Sequence, residues 1–513
     1  MRSHVLDLNL DLDTPLEAAL RQRFRDFSSY RILRKSIDAR KSKPEFVYRV
    51  EVFEKGVVAP SNEIQLDKIS DEKKVEPVII VGTGPAGLFA ALRLAERGIP
   101  SLIFERGSTT TKRLVGISQY WRYGKLHPDN NVCYGEGGAG LYSDGKLITR
   151  IKSEHIPYVL DRLVQFGAPD EIKYLANPHV GSDKIRKLIP PMREFLIQKG
   201  CRFLFDTEVT QLIVNENRCE GVVTKNGDRY NSPHVILATG HSATKIYLEL
   251  HQQGVKLEGK SFALGFRVEH PQKVINRIQF KDYAEHPALG AANYKLAQHN
   301  SEDDIGVYSF CMCPGGYVIA SSTDEDGIVS NGMSNYARNS PFANSAIVVS
   351  VDYEKNFGSS VFDGLDFIRK IEQVAKERVL SSGGTKELPA QKLVDFLRRK
   401  KSDSVDSGSC PSKAISIELS QMIPQEMFER ICDSLEFFHS RRMKGFIHKD
   451  AQVFGVETRT SAPIRIPRDP ESFESVSHHG LFPTGEGAGY AGGITSAAVD
   501  GVRVAEAIYR QYA

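Results

Sequence analysis

The sequence predicts an α/β fold, interrupted by an inserted α+β unit and preceded by a small N-terminal α+β module. Three observations carry this. A short aliphatic run, Val78-Ile79-Ile80-Val81, leads at once into a glycine-rich turn and an apolar helix. A second strand, glycine loop and helix close the chain, from Gly480 onward. Between the two halves lies a long stretch of mixed strand and helix patterns. The 513 residues, 41% of them hydrophobic, suffice for about three globular domains at roughly 150 residues each. The boundaries read as 1–70 for the module, 75–250 with 476–513 for the α/β domain, and 251–475 for the insertion.

The same arithmetic excludes several classes. No aliphatic run approaches the ~18 residues a bilayer crossing needs, so no membrane span is expected. A net charge of +3 does not mark the whole chain as a partner of nucleic acid or a membrane surface. Met1 to Asp7 lacks the apolar stretch of a secretory signal. The seven cysteines (Cys133, Cys201, Cys219, Cys311, Cys313, Cys410 and Cys432) include no CxxC and are too sparse for a disulfide framework, so no metal is expected. A reducing compartment, the cytoplasm, fits this usage.

In chain order, Val5, Leu8 and Leu10 suggest a first strand, and Pro15 opens a helix with Asp13 and Thr14 available as caps. Tyr30 to Leu33 and Phe46 to Val52 read as strands, giving a βαββ module, with residues 54–74 as its linker. Ten basic residues lie between Arg21 and Arg49 (Arg21, Arg23, Arg25, Arg31, Arg34, Lys35, Arg40, Lys41, Lys43 and Arg49) against Asp26, Asp38 and Glu45. That surplus reads either as a solvated face that docks elsewhere on the chain or as a footprint for RNA. No RNP-type aromatics or helix-turn-helix accompany it, which favours the first reading.

Gly82-Thr83-Gly84-Pro85-Ala86-Gly87 then follows the Val78–Val81 strand and opens the helix beginning at Leu88. Ser101 to Phe104 is the next strand and ends at Glu105, 18 residues past Gly87. This is the dinucleotide fingerprint of a Rossmann-type unit. Gly82 permits the tight turn, Gly84 lets backbone approach a diphosphate, Gly87 lets helix and strand pack closely, and Glu105 suits an adenosine ribose. The helix start adds free N–H groups and a positive dipole end.

Three further segments decide which dinucleotide. Gly135 to Leu147 is a second glycine-rich loop, holding Gly138, Ala139, Gly140, Ser143 and Lys146. His234 to Leu237 is a buried strand that ends in Ala238-Thr239-Gly240. Gly480 to Thr484 is another strand, and runs into Gly485-Glu486, Gly493-Ile494 and an amphipathic final helix.

That four-part order resembles the FAD domain of glutathione-reductase-like flavoproteins. The resemblance implies that Ala238-Thr239-Gly240 passes close to FAD and that Glu486 holds its ribityl or diphosphate region. It also implies that the helix start at Gly493-Ile494 faces the flavin pyrimidine edge. Most relatives carry Gly-Asp where this chain has Gly485-Glu486. Phe203 to Val209 resembles the strand whose backbone contacts adenine, through Val209. Arg106 and Arg113, just past the ribose acid, read either as diphosphate contacts or as solvated surface.

A closer resemblance rests on Gly137 to Leu147, Phe310 to Gly316, Gly455 to Ser461 and Gly485 to Gly493, in that order. Together they resemble a bacterial family of uncharacterised FAD-dependent dehydrogenases, with geranylgeranyl-reductase-like flavoproteins as more distant relatives. The likeness covers essentially the whole chain. It implies FAD binding and redox activity, and supplies no substrate.

In such an architecture the insertion builds the substrate side. Leu264 to Val268 and Gly316 to Ala320 look like strands, Phe362 to Leu380 like a helix, and Ser402 to Ser412 like a mobile surface loop. Cys311 and Cys313 read either as a redox relay beside a flavin or as inert packing before a Pro-Gly-Gly turn. Arg459 and Arg465 read as anion anchors or as salt-bridge partners, and His478-His479 as proton donors or solvated turn residues. No separate pyridine-nucleotide domain follows, so NAD(P)H would bind only transiently. The expected function is an FAD-dependent oxidoreductase acting on a small molecule. The alternatives are an RNA-associated flavoprotein that uses the basic module and a flavin-bound protein without turnover.

Overall fold

The computed structural model describes residues 3–24, 26–40, 43–57, 66–69, 75–301 and 303–512. Most of the expected linker, at 58–65 and 70–74, lies outside the described residues, as do Arg25 and Lys41 of the basic stretch. Strand β1 (Ser3–Asp11), helix α1 (Leu16–Arg23) and strands β2 (Phe27–Asp38) and β3 (Glu45–Glu54) form an antiparallel sheet in the order β1-β3-β2 with one helix. Alternation in β3 turns Phe46, Tyr48, Val50 and Val52 inward onto Leu16 and Leu20 of α1, in a core continuous with that of the inserted unit. Neither Asp13 nor Thr14 caps α1. Pro15 itself occupies the cap position, and no side chain bonds the free N–H groups.

The central sheet has five strands, all parallel: Leu481–Pro483, Val235–Leu237, β4 (Val78–Val81), β5 (Ser101–Phe104) and Arg202–Leu204, in that order. Val78 to Val81 are all buried, as a strand covered on both faces requires. Helix α2 (Pro85–Glu96) and the final helix, Ile494–Tyr512, pack against each other, close enough that a Cβ on Gly501 would stand 2.1 Å from the carbonyl of Ala86.

The inserted unit is a seven-stranded, largely antiparallel sheet built around Phe262–Pro271, Phe342–Val351 and Gln452–Glu457. Helices Asp363–Ser381 and Gln425–Phe437 cover it, and Phe266, Phe396 and Phe428 stack edge-on and tilted in the core between. The serine-rich stretch 402–412 is pinned rather than free. The Ser409 hydroxyl and amide donate to the buried Glu269 carboxylate, the Asp406 amide donates to Gln452 (2.8 Å), and Ser402 and Ser412 are buried. Asp403, Ser404, Asp406 and Ser407 are exposed, so the stretch is surface as its composition suggests, but Ser402, Ser409 and Ser412 anchor it inward. Among the described residues, no helix is long and apolar enough to cross a membrane.

Candidate functional site

A cleft of about 600 Å³ opens at the carboxyl ends of β4, Val235–Leu237 and Leu481–Pro483, where connections leave the sheet on both sides of β4. Gly82, with φ +108°, makes the first turn, and a Cβ there would stand 2.3 Å from the Ala238 carbonyl. The backbone then reaches Gly84 and enters α2 with no side-chain cap, no acid in the first turn and Pro85 at the start. This leaves the N-terminal end of the helix positively polarised and open to the cleft.

Glu105 is buried at the end of β5. The Thr83 amide (3.1 Å) and hydroxyl (2.6 Å) donate to one of its oxygens, and the Gly107 (2.9 Å) and Gly135 (3.1 Å) amides to the other. One carboxylate thereby ties the first and second glycine loops together. Arg106 pairs with Asp129 (2.6 Å) and Glu208 (3.4 Å) and lies over the Tyr134 ring.

Most of the predicted cofactor residues line this one cleft: Gly82, Gly84, Pro85, Ala86, Glu105, Arg106, Gly138, Ala139, Gly140, Ser143, Lys146, Val209, Ala238, Thr239, Gly240, Glu486, Gly493 and Ile494. Gly87, Arg113, Gly485 and Cys313 do not. Gly87 packs against the first turn, its Cβ direction blocked at 2.0 Å by the Gly82 carbonyl. Arg113 is fully buried beneath the second glycine loop and donates to the carbonyls of Asn131 (2.9 Å), Val132 (2.7 Å), Gly135 (3.2 Å) and Glu136 (2.8 Å). It braces a loop instead of facing a diphosphate. Gly485 sits behind the rim, where its amide donates to Asp500 (2.7 Å), itself paired with Arg468 (2.5 Å). Cys313 is buried, and Cys311 lines the cleft, as does Cys133.

Arg459 is on the wall as well. Its guanidinium is bidentate to Glu372 (3.0 and 2.8 Å) and donates to Thr323 (2.6 Å). Burial opposes its charge, but the Glu372 carboxylate outweighs burial and holds the charged form above its ordinary range. Arg465 is exposed outside the cleft. His478 and His479 precede the strand Leu481–Pro483, at the end of the sheet opposite the cleft, so they donate no proton there.

Sequence reasoning passed over Tyr134, His241, Ser242 and Lys260. Burial, with Arg459 nearby, pushes His241 down to about 4, so the ring is neutral, and its Nδ1 shares a hydrogen bond with the Ser242 hydroxyl (2.7 Å). Burial pushes Glu486 up to about 7, opposed by the Lys260 ammonium. The Asp500 brace had one visible signal, an acid set among the small apolar residues of the first two turns of the final helix.

Comparison with known proteins adds four family models. One for the C-terminal domain-like region of FAD-dependent proteins matches residues 261–460. One for an FAD binding domain matches 76–116. One for glucose inhibited division protein A matches 192–279, and a domain of unknown function matches 11–53. An uncharacterized protein of Clostridium beijerinckii is 39% identical over 537 residues, covering 100% of this chain and 99% of its own. The tRNA uridine 5-carboxymethylaminomethyl modification enzyme MnmG of Alkaliphilus metalliredigens is 28% identical over 172 residues, covering 33% of this chain and 25% of its own. Among solved structures, the flavin-dependent brominase Bmp2 is 13% identical with a TM-score of 0.37, covering 86% of this chain and 80% of its own.

Proposed function

This chain belongs to the family of FAD-dependent proteins that includes its full-length Clostridium beijerinckii relative, and from that premise we propose that it is an FAD-dependent oxidoreductase acting on a small molecule bound against the inserted unit. The observation that carries the reading is that two helix starts, the uncapped one at Gly84-Pro85 and that at Gly493-Ile494, line one cleft with the Glu105 carboxylate beside the first.

The residues present fit the cofactor. A Cβ on Gly84, Gly240, Gly492 or Gly493 would meet no protein atom within 4 Å, so these positions leave space where backbone meets ligand. The amides at the start of α2 would hold the diphosphate, and Glu105, already oriented by four donors, would accept from the adenosine ribose. The start of the final helix would favour negative charge on the far side of the ring system. When bound, FAD supplies two-electron hydride chemistry.

The chain's own groups set the electrostatics around that chemistry. Lys146 and Arg459 bring two fixed cations to the wall, Glu486 is poised to carry a proton near neutral pH, and His241 offers hydrogen bonding without charge. The inserted unit contributes Phe310, Cys311, Asn331 and Arg459, a mixed apolar and polar wall suited to a small polar substrate. NADH or NADPH is the proposed transient electron donor, visiting from the open side of the cleft.

Anaerobic mixing of the purified protein with NADH or NADPH tests this. A yellow protein whose flavin absorbance bleaches with either donor supports the reading. A yellow protein that neither donor bleaches removes the nicotinamide from it. A colourless protein that takes up no FAD on incubation overturns it.

A further inference from the structure

The strand Ile305–Cys313 pairs regularly with Phe342–Val351 as far as Phe310, where the register shifts before resuming at Cys313. Cys311 falls within this bulge at φ +46°, a backbone conformation that a non-glycine residue adopts only under constraint. Bulges re-aim side chains, and this one brings Cys311 to the cleft wall while Cys313 stays buried behind it. The single Cys313 thiol proton lies between the Cys311 carbonyl (3.2 Å) and the Cys311 sulfur, which it serves as a shared donor.

Cations surround the pair. The Lys146 ammonium donates to the carbonyl of Met312, between the two cysteines, and pairs with Asp144 (3.2 Å). The fully buried Arg267 donates to the Cys311 carbonyl (3.3 Å) while bidentate to Glu457 (2.9 and 2.6 Å). The hydrogen bond from Cys313 lowers the Cys311 pKa, with Lys146 and Arg267 acting in the same sense and burial and Glu457 against it. That bond and burial raise Cys313. One thiol is thus set to be a thiolate and the other to keep its proton, the division of labour of an attacking and a resolving sulfur.

We propose that Cys311 and Cys313 form a thiol–disulfide couple in the cleft, with Cys311 attacking and Cys313 resolving, and that the substrate class is a small disulfide. In the first step, the Cys311 thiolate bonds to one sulfur of the external disulfide, whose S–S bond breaks and releases one thiolate. In the second, the Cys313 sulfur displaces the other half, its proton leaving with the departing thiolate. The external disulfide is reduced to a thiol and a thiolate, the thiolate taking its proton from solvent, and the protein thiolate–thiol pair is oxidised to a disulfide. Resetting the couple takes two electrons and one proton, drawn from the reduced flavin; this part rests on the function proposed above. Both thiols belong to the inserted unit, so the couple is supplied from the substrate wall and not from the dinucleotide-binding half.

The test is rapid reaction of the full-length holoprotein, its thiols reduced and its flavin oxidised, with dithiobis(nitrobenzoate) near neutral pH, followed by peptide mass spectrometry. Each attack on this aromatic disulfide, and each resolution, releases one coloured thiol. The wild type is expected to release two equivalents in its fast phase and to form a Cys311–Cys313 disulfide. Cys313→Ser is expected to release one and to retain a mixed disulfide on Cys311. Lys146→Gln is expected to slow the fast phase about tenfold, through loss of thiolate. A fast phase that maps to Cys133 or Cys432, or two equivalents from Cys313→Ser, overturns the proposal. Flavin absorbance recorded on the same samples separates the two readings. A yellow protein without the fast dithiol phase refutes the couple alone, and a colourless one with it refutes the flavin function alone.

Discussion

Gly84 is the residue where fold and ligand demands separate most cleanly, because a side chain there would project into open cleft. Its backbone, at φ −69° and ψ −179°, accommodates a β-branched residue. Gly84→Val is therefore expected to fold with an unchanged circular dichroism spectrum and to lose most of its FAD. Flavin absorbance relative to protein checks this, and full occupancy would refute the diphosphate placement. Glu269 makes a different prediction. Buried with only Ser409 donating to it, it is pushed up to about 7 by desolvation, against an ordinary 4.5. The unfolded chain loses this proton at lower pH than the folded one. The stabilisation is thus fully present below pH 4.5 and is lost as pH rises through 7, by about 3 kcal/mol at most. Thermal melts should show the wild-type midpoint falling over that window and Glu269→Gln flattening it; parallel curves would refute the assignment.

Elements differ in how they are held, and the second glycine loop is held by one guanidinium. Arg113 fills four carbonyls that otherwise face the interior. Arg113→Met should cost about 2–4 kcal/mol, the price of leaving buried acceptors unpaired. It should also weaken FAD retention, since Gly138 to Gly140 depend on that loop; a melting midpoint within about a degree of wild type would contradict the brace. Strands and helices around the cleft were legible because each carries a local signal: an aliphatic run, a glycine turn, an acid at a strand end. The braces were not. Arg113 beneath its loop, Asp500 behind Gly485 and the bulge that exposes Cys311 in place of Cys313 are contacts between distant segments, and leave no periodicity to read. The same blindness hid the anchors of the surface stretch Ser402–Ser412, since composition records polarity and not the direction of a hydrogen bond.

At the scale of the molecule, the basic module is far less cationic than its sequence suggests. Arg21 pairs with Glu17, Arg31 with Glu51, Arg40 with Asp38 and Lys43 with Asp11, at 2.5–2.8 Å. Its β2 also docks onto the rest of the chain through backbone bonds between Lys35 and the Tyr174–Ala176 segment, both 2.8 Å. Fluorescence anisotropy with bulk transfer RNA at physiological salt is expected to show no saturable binding. Steeply salt-dependent binding would instead restore the RNA-associated alternative.

The sheet order has one more consequence, in the timing of assembly. β4 and Leu481–Pro483 flank the same strand, Val235–Leu237, yet Leu481 lies 400 positions beyond Val81. A ribosome therefore delivers the first phosphate-gripping turn long before its closing neighbour exists, and a nascent chain halted ahead of that last strand has only half a crevice to offer. Coenzyme loading then waits on the emergence of Leu481–Pro483, and the yellow colour becomes a readout of that strand having joined the sheet.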